Sequence, residues 1–329
     1  MVIRRFANRG LGGLLLLGAL GCGPAKPAVV DAAVDLALEP LLDPALFDCT
    51  SLGPDGQRLP ERRSAVPAAC ALDPRCRPPQ IAGHRGVGGT LGRLAPEDTL
   101  AAYRAAIVLG IEYVETDPRP TADGVLINLH DPTVNRTTGG SGAVENMTLA
   151  QVRALSVSAT MPGDFRCEKV PTLLEVLQLC RGRVTVLVDA NKTDRVDLLV
   201  KAIQEAKAVD WAIFDTSSID KIDRALVLEP RLHFQIRPGS VAEITTQLDH
   251  FKPRVPVIVE LEPKDRAPGA AVVHQRGSRA FVDVFVEDAA AALGHDLSGY
   301  GRALDDGVDI LQSDVPDLVL LAYRRRGLR

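Results

Sequence analysis

The sequence predicts a closed (β/α)8 barrel of the TIM type, and three observations carry that expectation. From residue 79 onward, short apolar runs alternate with segments of helical periodicity, the order that builds a parallel sheet with helices around it. The alternation lasts about 250 residues, the usual span of such a barrel. No glycine-rich dinucleotide fingerprint opens the first unit, which argues against an open doubly wound sheet.

The first strand starts at 81–82 and breaks into the glycine-rich loop 83–92. Within 97–109, Leu100, Ala101, Ile107 and Val108 fall at helical spacing, with Pro96 suited to a first turn and Gly110 to a stop. Strands follow at 111–115 and 125–129. Thr148 caps a helix over 148–155, and Pro171 opens one over 171–179 with Leu173, Leu174, Val176 and Leu177 facing inward. The run 184–188 is apolar throughout, as in a strand covered on both faces. Helices are expected over 195–208, 218–228, 241–248 and 317–323, and strands at 212–214, 232–236, 257–261, 280–286 and 309–311. That makes nine strands, one more than a barrel needs, and 257–261 is expected to be the extra one.

The segment 118–124 is too short for a crossover helix, and its two prolines forbid one. A tight hairpin between neighbouring sheet strands would send His130 to the opposite end of the sheet from Asp117. An extended return reaches roughly 23 Å, enough to run back past a strand of about 17 Å. The expectation is therefore that 125–130 climbs parallel to its neighbour, so that His84, Glu115, Asp117 and His130 share the carboxyl-terminal face, where barrel chemistry sits.

The N-terminus reads as an export signal over 1–22: Arg4, Arg5 and Arg9 precede an apolar run, 11–20, too short to span a bilayer. Cys22 follows Gly21 in a context that resembles the lipobox of bacterial lipoproteins, which implies lipidation at Cys22. The expected location is outside the cytoplasm, as an outer-membrane or periplasmic lipoprotein or a secreted protein. Residues 23–79 hold ten of the 23 prolines and read as a tether with a small cysteine-held cap and a short helix within 32–42, leaving 80–329 as the barrel. Cys49, Cys70, Cys76, Cys167 and Cys180 remain; an oxidising compartment permits disulfides, and proximity favours Cys70–Cys76 and Cys167–Cys180. A formal net charge of -4 and 4% aromatic residues speak against nucleic acid or an anionic membrane surface as a partner. Membrane contact is expected only through the lipid anchor, and no protein partner is expected.

Glu115 and Asp117 stand two apart at a strand end, so their side chains point the same way. Two like charges on one face repel unless a cation lies between them, and hard carboxylate oxygens suit Mg²⁺ or Ca²⁺. The plain alternative is a solvated strand end. His84-Arg85 follows the first strand: arginine matches phosphate oxygens with a planar fork, and histidine titrates near neutrality. Either a surface basic pair or a histidine bonded to a turn aspartate, as in His130-Asp131, would explain each feature alone. Together they form an inventory for moving protons beside an anion and a metal.

These residues resemble the glycerophosphodiester phosphodiesterases. The family's His-Arg-Gly, Pro-Glu-Asn-Thr and Glu-x-Asp are similar to 84–86, 96–99 and 115–117. Its Thr-x-Asp-Gly turn, His-Asp strand end, Arg-Thr-Thr-x-Gly and Pro-Thr-Leu helix start are similar to 121–124, 130–131, 136–140 and 171–173, and its closing strand to 307–316. The resemblance implies a TIM barrel, a divalent metal and hydrolysis of a small glycerophosphodiester to glycerol 3-phosphate and an alcohol. It implies Glu115 and Asp117 as metal ligands, His84 and His130 as the acid–base pair, and Arg85 on the phosphate.

The chain departs from the pattern at two points. Asp98 stands where the family prefers Asn. The family's third carboxylate, in Glu-x-Lys, is replaced by Asp189-Ala190-Asn191-Lys192, so Asp189 is assigned as ligand and Lys192 to the phosphate, with Glu260 as a substitute ligand. Two rival readings are a phospholipase or sphingomyelinase-D-like lipase on the same barrel, and a cell-envelope binding protein without activity, which the altered 189–192 segment would suit.

Overall fold

The computed structural model describes residues 42–53, 58–64, 66–76 and 78–329. The export segment, Cys22 and the expected 32–42 helix, Leu42 apart, lie outside the described residues. Eight parallel strands close into a barrel: β1 (Gln80–Gly83), β2 (Tyr113–Thr116), β5 (Thr185–Asp189), β6 (Ala212–Thr216), β7 (His233–Ile236), β8 (Ile258–Glu260), β9 (Arg279–Asp283) and β10 (Ile310–Ser313), with β10 pairing back onto β1. Helices α1 (Leu100–Leu109), α3 (Leu173–Cys180), α4 (Val196–Glu205), α5 (Ile219–Leu228), α6 (Val241–His250), α7 (Arg266–Gln275), α8 (Phe285–Gly294), α9 (Ser298–Asp305) and α10 (Pro316–Arg325) follow strands along the chain, and α2 (Leu149–Arg153) sits in the β2–β5 connection. Among the described residues no helix is long and apolar enough to cross a membrane.

Strand periodicity decides what faces the barrel axis. Ala82, Tyr113, Leu187, Ile213, Ile258, Phe281 and Ile310 form one buried cluster. Their immediate neighbours along the strands, among them Val114, Val186, Val188, Phe214 and Val259, join the core beneath the helices. Two residues past each member of the inner layer, and so on the same side, the chain places His84, Glu115, Asp189, Asp215, Glu260, Asp283 and Gln312. An apolar layer thus carries a polar one at the carboxyl ends of the strands.

Two expectations about strands are overturned together. Segment 257–261 is not extra: it supplies β8, paired with β7 and β9. The strand outside the barrel is 125–129. It forms β4 (Leu126–Asn128), antiparallel to β3 (Pro118–Pro120) in a separate two-stranded sheet, so the extended parallel return does not occur. The hairpin leaves the barrel after β2 instead of bending back along it. Its outward and return arms cancel, and the Leu129 N–H donates to the Asp117 carbonyl at 3.0 Å, which returns His130 to the rim it started from.

Helix α1 starts at Leu100, later than expected. Asp98 has a left-handed backbone (φ 57°), so no helix runs through it, and the Thr99 side chain caps the Ala102 N–H. Thr148 and Thr172 make full capping boxes with Gln151 and Glu175. Helices α7, α8 and α9 are not among those expected: α7 carries an internal Pro and Gly, and the expected strand 280–286 ends at Asp283, with alanine-rich α8 taking over at Phe285.

The described residues ahead of β1 lie against the barrel. The Ala71 side chain joins the inner apolar layer, the Tyr113 hydroxyl donates to the Ala71 carbonyl, and Arg279 Nη1 donates to the Cys70 carbonyl at 3.1 Å. Cys70–Cys76 is a disulfide, as expected. Cys167–Cys180 is not: Cys167 pairs with Cys49 across 118 residues, and Cys180 is a buried free thiol. Cys180 ends the inward face of α3, whereas Cys167 sits in a surface turn where Asp164 and Cys49 exchange backbone contacts, with Cys49 N–H donating to Asp164 O at 2.8 Å. Phe47 stacks on Phe165 beside this bond at 6.5 Å.

Closing a loop of this length restricts the unfolded chain, a contribution of about 2–4 kcal/mol. The Cys49→Ser/Cys167→Ser double variant is therefore expected to unfold several degrees lower in a non-reducing thermal melt and to show one disulfide fewer by thiol titration, whereas Cys180→Ser is expected to leave the disulfide content unchanged.

Candidate active site

At the carboxyl-terminal mouth, Glu115, Asp117 and Asp189 are all buried, and each offers an oxygen such that the three lie within 4.8 Å of one another. Burial first, then the neighbouring Asp117 and Asp189 charges, pushes the Glu115 carboxyl well above the usual range. Asp117 Oδ2 is buried with no hydrogen-bond donor, and Arg85 Nε stands 3.3 Å from it as an ion-pair contact only. Three hard oxygens, one without a donor, and surplus negative charge fit a divalent cation such as Mg²⁺ or Ca²⁺. Asp189 thus completes the set its shifted position left open, and its other bond, from the Asn191 N–H at 2.6 Å, holds the side chain at the turn after β5. Glu260 does not join: Gln235 and Arg237 bind it at 3.0 Å each.

His84 leaves β1 beside this cluster, its Nε2 3.9 Å from Glu115 Oε2. Its Nδ1 is 2.6 Å from Asp314 Oδ1, so Nε2 is the atom left for chemistry. Burial raises the Asp314 carboxyl, but the His84 hydrogen bond and charge outweigh it and leave the group below its ordinary range. Asp314 also accepts from the Leu91 N–H at 2.9 Å. A Cβ on Gly89 would lie 1.9 Å from Asp314 Oδ1, so that loop position needs glycine for close approach. Asp314 is a positioning residue that sequence reasoning did not assign. Its only signal was membership of the 313–316 motif.

His130 stands at the same mouth, its Nδ1 3.0 Å from Asp131 Oδ1. Arg119, at the centre of β3, donates to the carbonyls of Leu129 and His130 (2.7–3.1 Å) and reaches the Lys192 carbonyl at 3.5 Å. One guanidinium thereby ties the hairpin to the turn after β5. Lys192 Nζ stands 3.5 Å from Asp117 Oδ1.

Arg85 has a left-handed backbone (φ 50°), sits 7% exposed, and donates from Nη1 to Glu97 Oε1 at 3.0 Å and from its N–H to Glu115 Oε2 at 3.1 Å. Glu97 in turn binds Arg136 (2.6 and 2.7 Å), which also grips Asp131. Beside this network lies a cavity of about 460 Å³ whose walls include Arg85, His130, Thr137 and Met161.

Asp98 accepts from the Tyr103 hydroxyl at 3.0 Å. Burial first, then Asp117 and Glu97, pushes its carboxyl well up. A protonated acid has the shape of the amide the resembling family prefers there. Across the barrel, Arg237 pairs with Asp215, stands 3.0 Å from Glu260 and 3.9 Å from Asp189. One guanidinium serves three acids, so Glu260 is pushed up to about 7 by burial despite its arginine. The sequence offered no pattern for Arg237 or Asp215.

The site residues expected from the sequence therefore stand at one mouth, with Cys22 alone outside the described residues. Residues 84–276 match the glycerophosphoryl diester phosphodiesterase family. A glycerophosphodiester phosphodiesterase of Caldanaerobacter subterraneus subsp. tengcongensis is 36% identical over 132 residues, 38% of this chain and 52% of that protein. Glycerophosphodiester phosphodiesterase 1 of Bos taurus is 43% identical over 136 residues, 40% of this chain and 38% of that protein. The chain thus spans about half or less of the length of these curated relatives. Among solved structures, a glycerophosphoryl diester phosphodiesterase from Parabacteroides distasonis superposes with TM-score 0.69 at 21% identity, over 79% of this chain and 90% of that one. A phosphodiesterase of Oleispira antarctica, solved with the product sn-glycerol-3-phosphate, superposes with TM-score 0.61 at 21% identity, over 75% and 97%. The family match spans more than half of the chain, and the chain belongs to the glycerophosphoryl diester phosphodiesterase family.

Proposed function

We propose that the protein is a metal-dependent hydrolase of glycerophosphodiesters, yielding glycerol 3-phosphate and an alcohol. The observation that carries the reading is convergence: two imidazoles, a buried guanidinium and three carboxylates from several strand ends meet at one mouth. Membership of the family and the product bound by the Oleispira antarctica relative support it. The placement of Asp189 within the carboxylate cluster weighs against a binding protein that has lost its chemistry.

Glu115, Asp117 and Asp189 would hold the cation, which as a Lewis acid stabilises charge developing on the phosphate oxygens. Arg85 and Lys192, both already beside Asp117, would bind those oxygens from the protein side. His84, with its Nδ1 committed to Asp314, takes a proton at Nε2 from the nucleophile, a water or the substrate's own glycerol hydroxyl. The Asp314 carboxylate stabilises the imidazolium that results. The new P–O bond forms as the bond to the alcohol breaks, and His130, which faces the cavity, gives its own proton to the departing oxygen; where the glycerol hydroxyl is the nucleophile, water then opens the cyclic phosphate ester to glycerol 3-phosphate, and the proton on His84 leaves to solvent. The two disulfides suit an oxidising compartment and support export, with 1–22 as the signal, Cys22 as the lipidated residue and 23–79 leading to the barrel.

A panel of glycerophosphodiesters assayed with Mg²⁺ or Ca²⁺ and then with EDTA tests the activity: turnover that chelator abolishes and metal restores is expected, and no hydrolysis of any member defeats the proposal. His84→Ala is expected to lower kcat by about 10² or more. Asp314→Asn should lower kcat by roughly tenfold to a hundredfold with little change in KM, since it removes orientation and not binding. Calorimetric titration of Asp189→Asn with the metal alone should show roughly tenfold or greater loss of affinity; unchanged affinity would remove Asp189 from the ligand set.

A further inference from the structure

The cavity is lined by both Arg85 and His130 and by none of the three carboxylates. A phosphate held between Arg85 and the carboxylate cluster would therefore send one of its two ester arms into this space. The chemistry of the walls limits what that arm can be.

The carboxylates there are satisfied by cations of the same wall. Both Glu97 oxygens are taken by Arg136, one of them shared with Arg85. Asp131 is taken by Arg136 and His130, and it is held below the usual carboxylate range mainly by the Arg136 hydrogen bond. Two acids face two guanidiniums, so no carboxylate of the wall is left to receive an ammonium, and Arg85, whose Nε has no hydrogen-bond partner, is kept for the phosphate. Among the described residues the wall has no phenyl, phenol or indole ring, and a quaternary ammonium is recognised by such faces. What remains free is hydroxyl: Thr90, Thr137, Ser158 and Thr160 line the space, and Thr137 Oγ1 is buried without a hydrogen-bond partner. At roughly 30 Å³ per water, the volume of 460 Å³ holds about fifteen waters, room for a polyol and its bridging waters.

The Ser158–Met161 side of the cavity is not a free loop end. Ser158 N–H donates to the Thr137 carbonyl at 2.9 Å, and a few residues on the chain is fixed by the Asp164 N–H to Asp48 Oδ2 bond (2.9 Å) and by Cys49–Cys167. The hydroxyls are thus presented from a wall pinned at both ends.

We propose that this cavity selects the leaving alcohol, and that it takes an uncharged, hydroxyl-rich one, a polyol or sugar, in preference to choline or ethanolamine. The inference rests on the hydrolase reading above. The test compares kcat/KM of the full chain for glycerophosphoglycerol and glycerophosphocholine at saturating metal. At least a tenfold preference for the glycerol ester is expected. The Ser158→Ala/Thr160→Val double variant, at two exposed wall positions, is expected to narrow that ratio threefold or more, mainly through KM for the glycerol ester. Hydrolysis of both esters at similar rates, or a ratio that the double variant leaves unchanged, overturns this inference and leaves the hydrolase reading standing. Failure to hydrolyse either ester overturns both.

Discussion

Everything at the mouth depends on one electrostatic constraint, the crowding of carboxylates above an apolar floor. Ile213, Ile258, Phe281 and Leu187 fill the axis beneath, and two residues further along the same strands the chain sets Asp215, Glu260, Asp283 and Asp189. Water is excluded below and the acids repel one another above. Arg237 neutralises the side of the ring formed by Asp215 and Glu260. Next to them, Glu115, Asp117 and Asp189 share Arg85 and Lys192 and only a more distant contact from Arg237 to Asp189, 3.9 Å, and the Arg85 guanidinium is shared with Glu97. The charge left over there suits a divalent cation, and the residues that offer it lie at the ends of β2 and β5.

Geometry at the rim is maintained by groups that do no chemistry themselves. The β3–β4 hairpin carries His130 away from the barrel and back, so its position depends on what fastens the return arm. The Asp117 carbonyl takes the Leu129 N–H, and Arg119 gathers the carbonyls of 129, 130 and 192. Asp314 does the same for His84 from the far side, and is itself held: its backbone N–H donates to Asp288 Oδ2 at 2.7 Å, and Tyr300 and Ser313 donate to Asp288 Oδ1, each at 2.7 Å. Burial pushes Asp288 up to about 7 in spite of these bonds. Each imidazole is thus oriented through one ring nitrogen, which leaves the other available in a defined direction.

Much of this was legible in the residues, for a physical reason. Glu115 and Asp117 share a face because strand period is two, and no packing detail alters that. The barrel follows from alternation, and the threonine caps from local hydrogen bonding. What was misread depended on contacts distant in sequence. Segment 125–129 has the pattern of a buried strand because it is one, covered by Val134, Val144 and Val152 in a separate small core; periodicity cannot say which sheet a strand joins. Short β8 looked dispensable beside it. Cys167 lies nearer to Cys180 than to Cys49 along the chain, but the core claimed Cys180 first. Arg237, Arg119 and Asp314 act through side chains that cross from one loop to another, and single-chain spacing does not encode that.

The residues before β1 join these two levels. The same approach that seals the barrel's amino-terminal end with Ala71 and the Cys70–Cys76 turn also brings Asp48 and Cys49 onto the 164–167 turn. That turn continues the strand of chain whose hydroxyls face the cavity at the other end of the molecule. The Arg104 guanidinium, buried in α1, bonds the Phe47 carbonyl at 2.7 Å and Glu168, so the first barrel helix is a third party to the arrangement. A segment composed like a tether is therefore positioned to act on the shape of the substrate wall without touching substrate, because one end of that wall is fastened to the chain that precedes the barrel and the other to the Thr137 carbonyl.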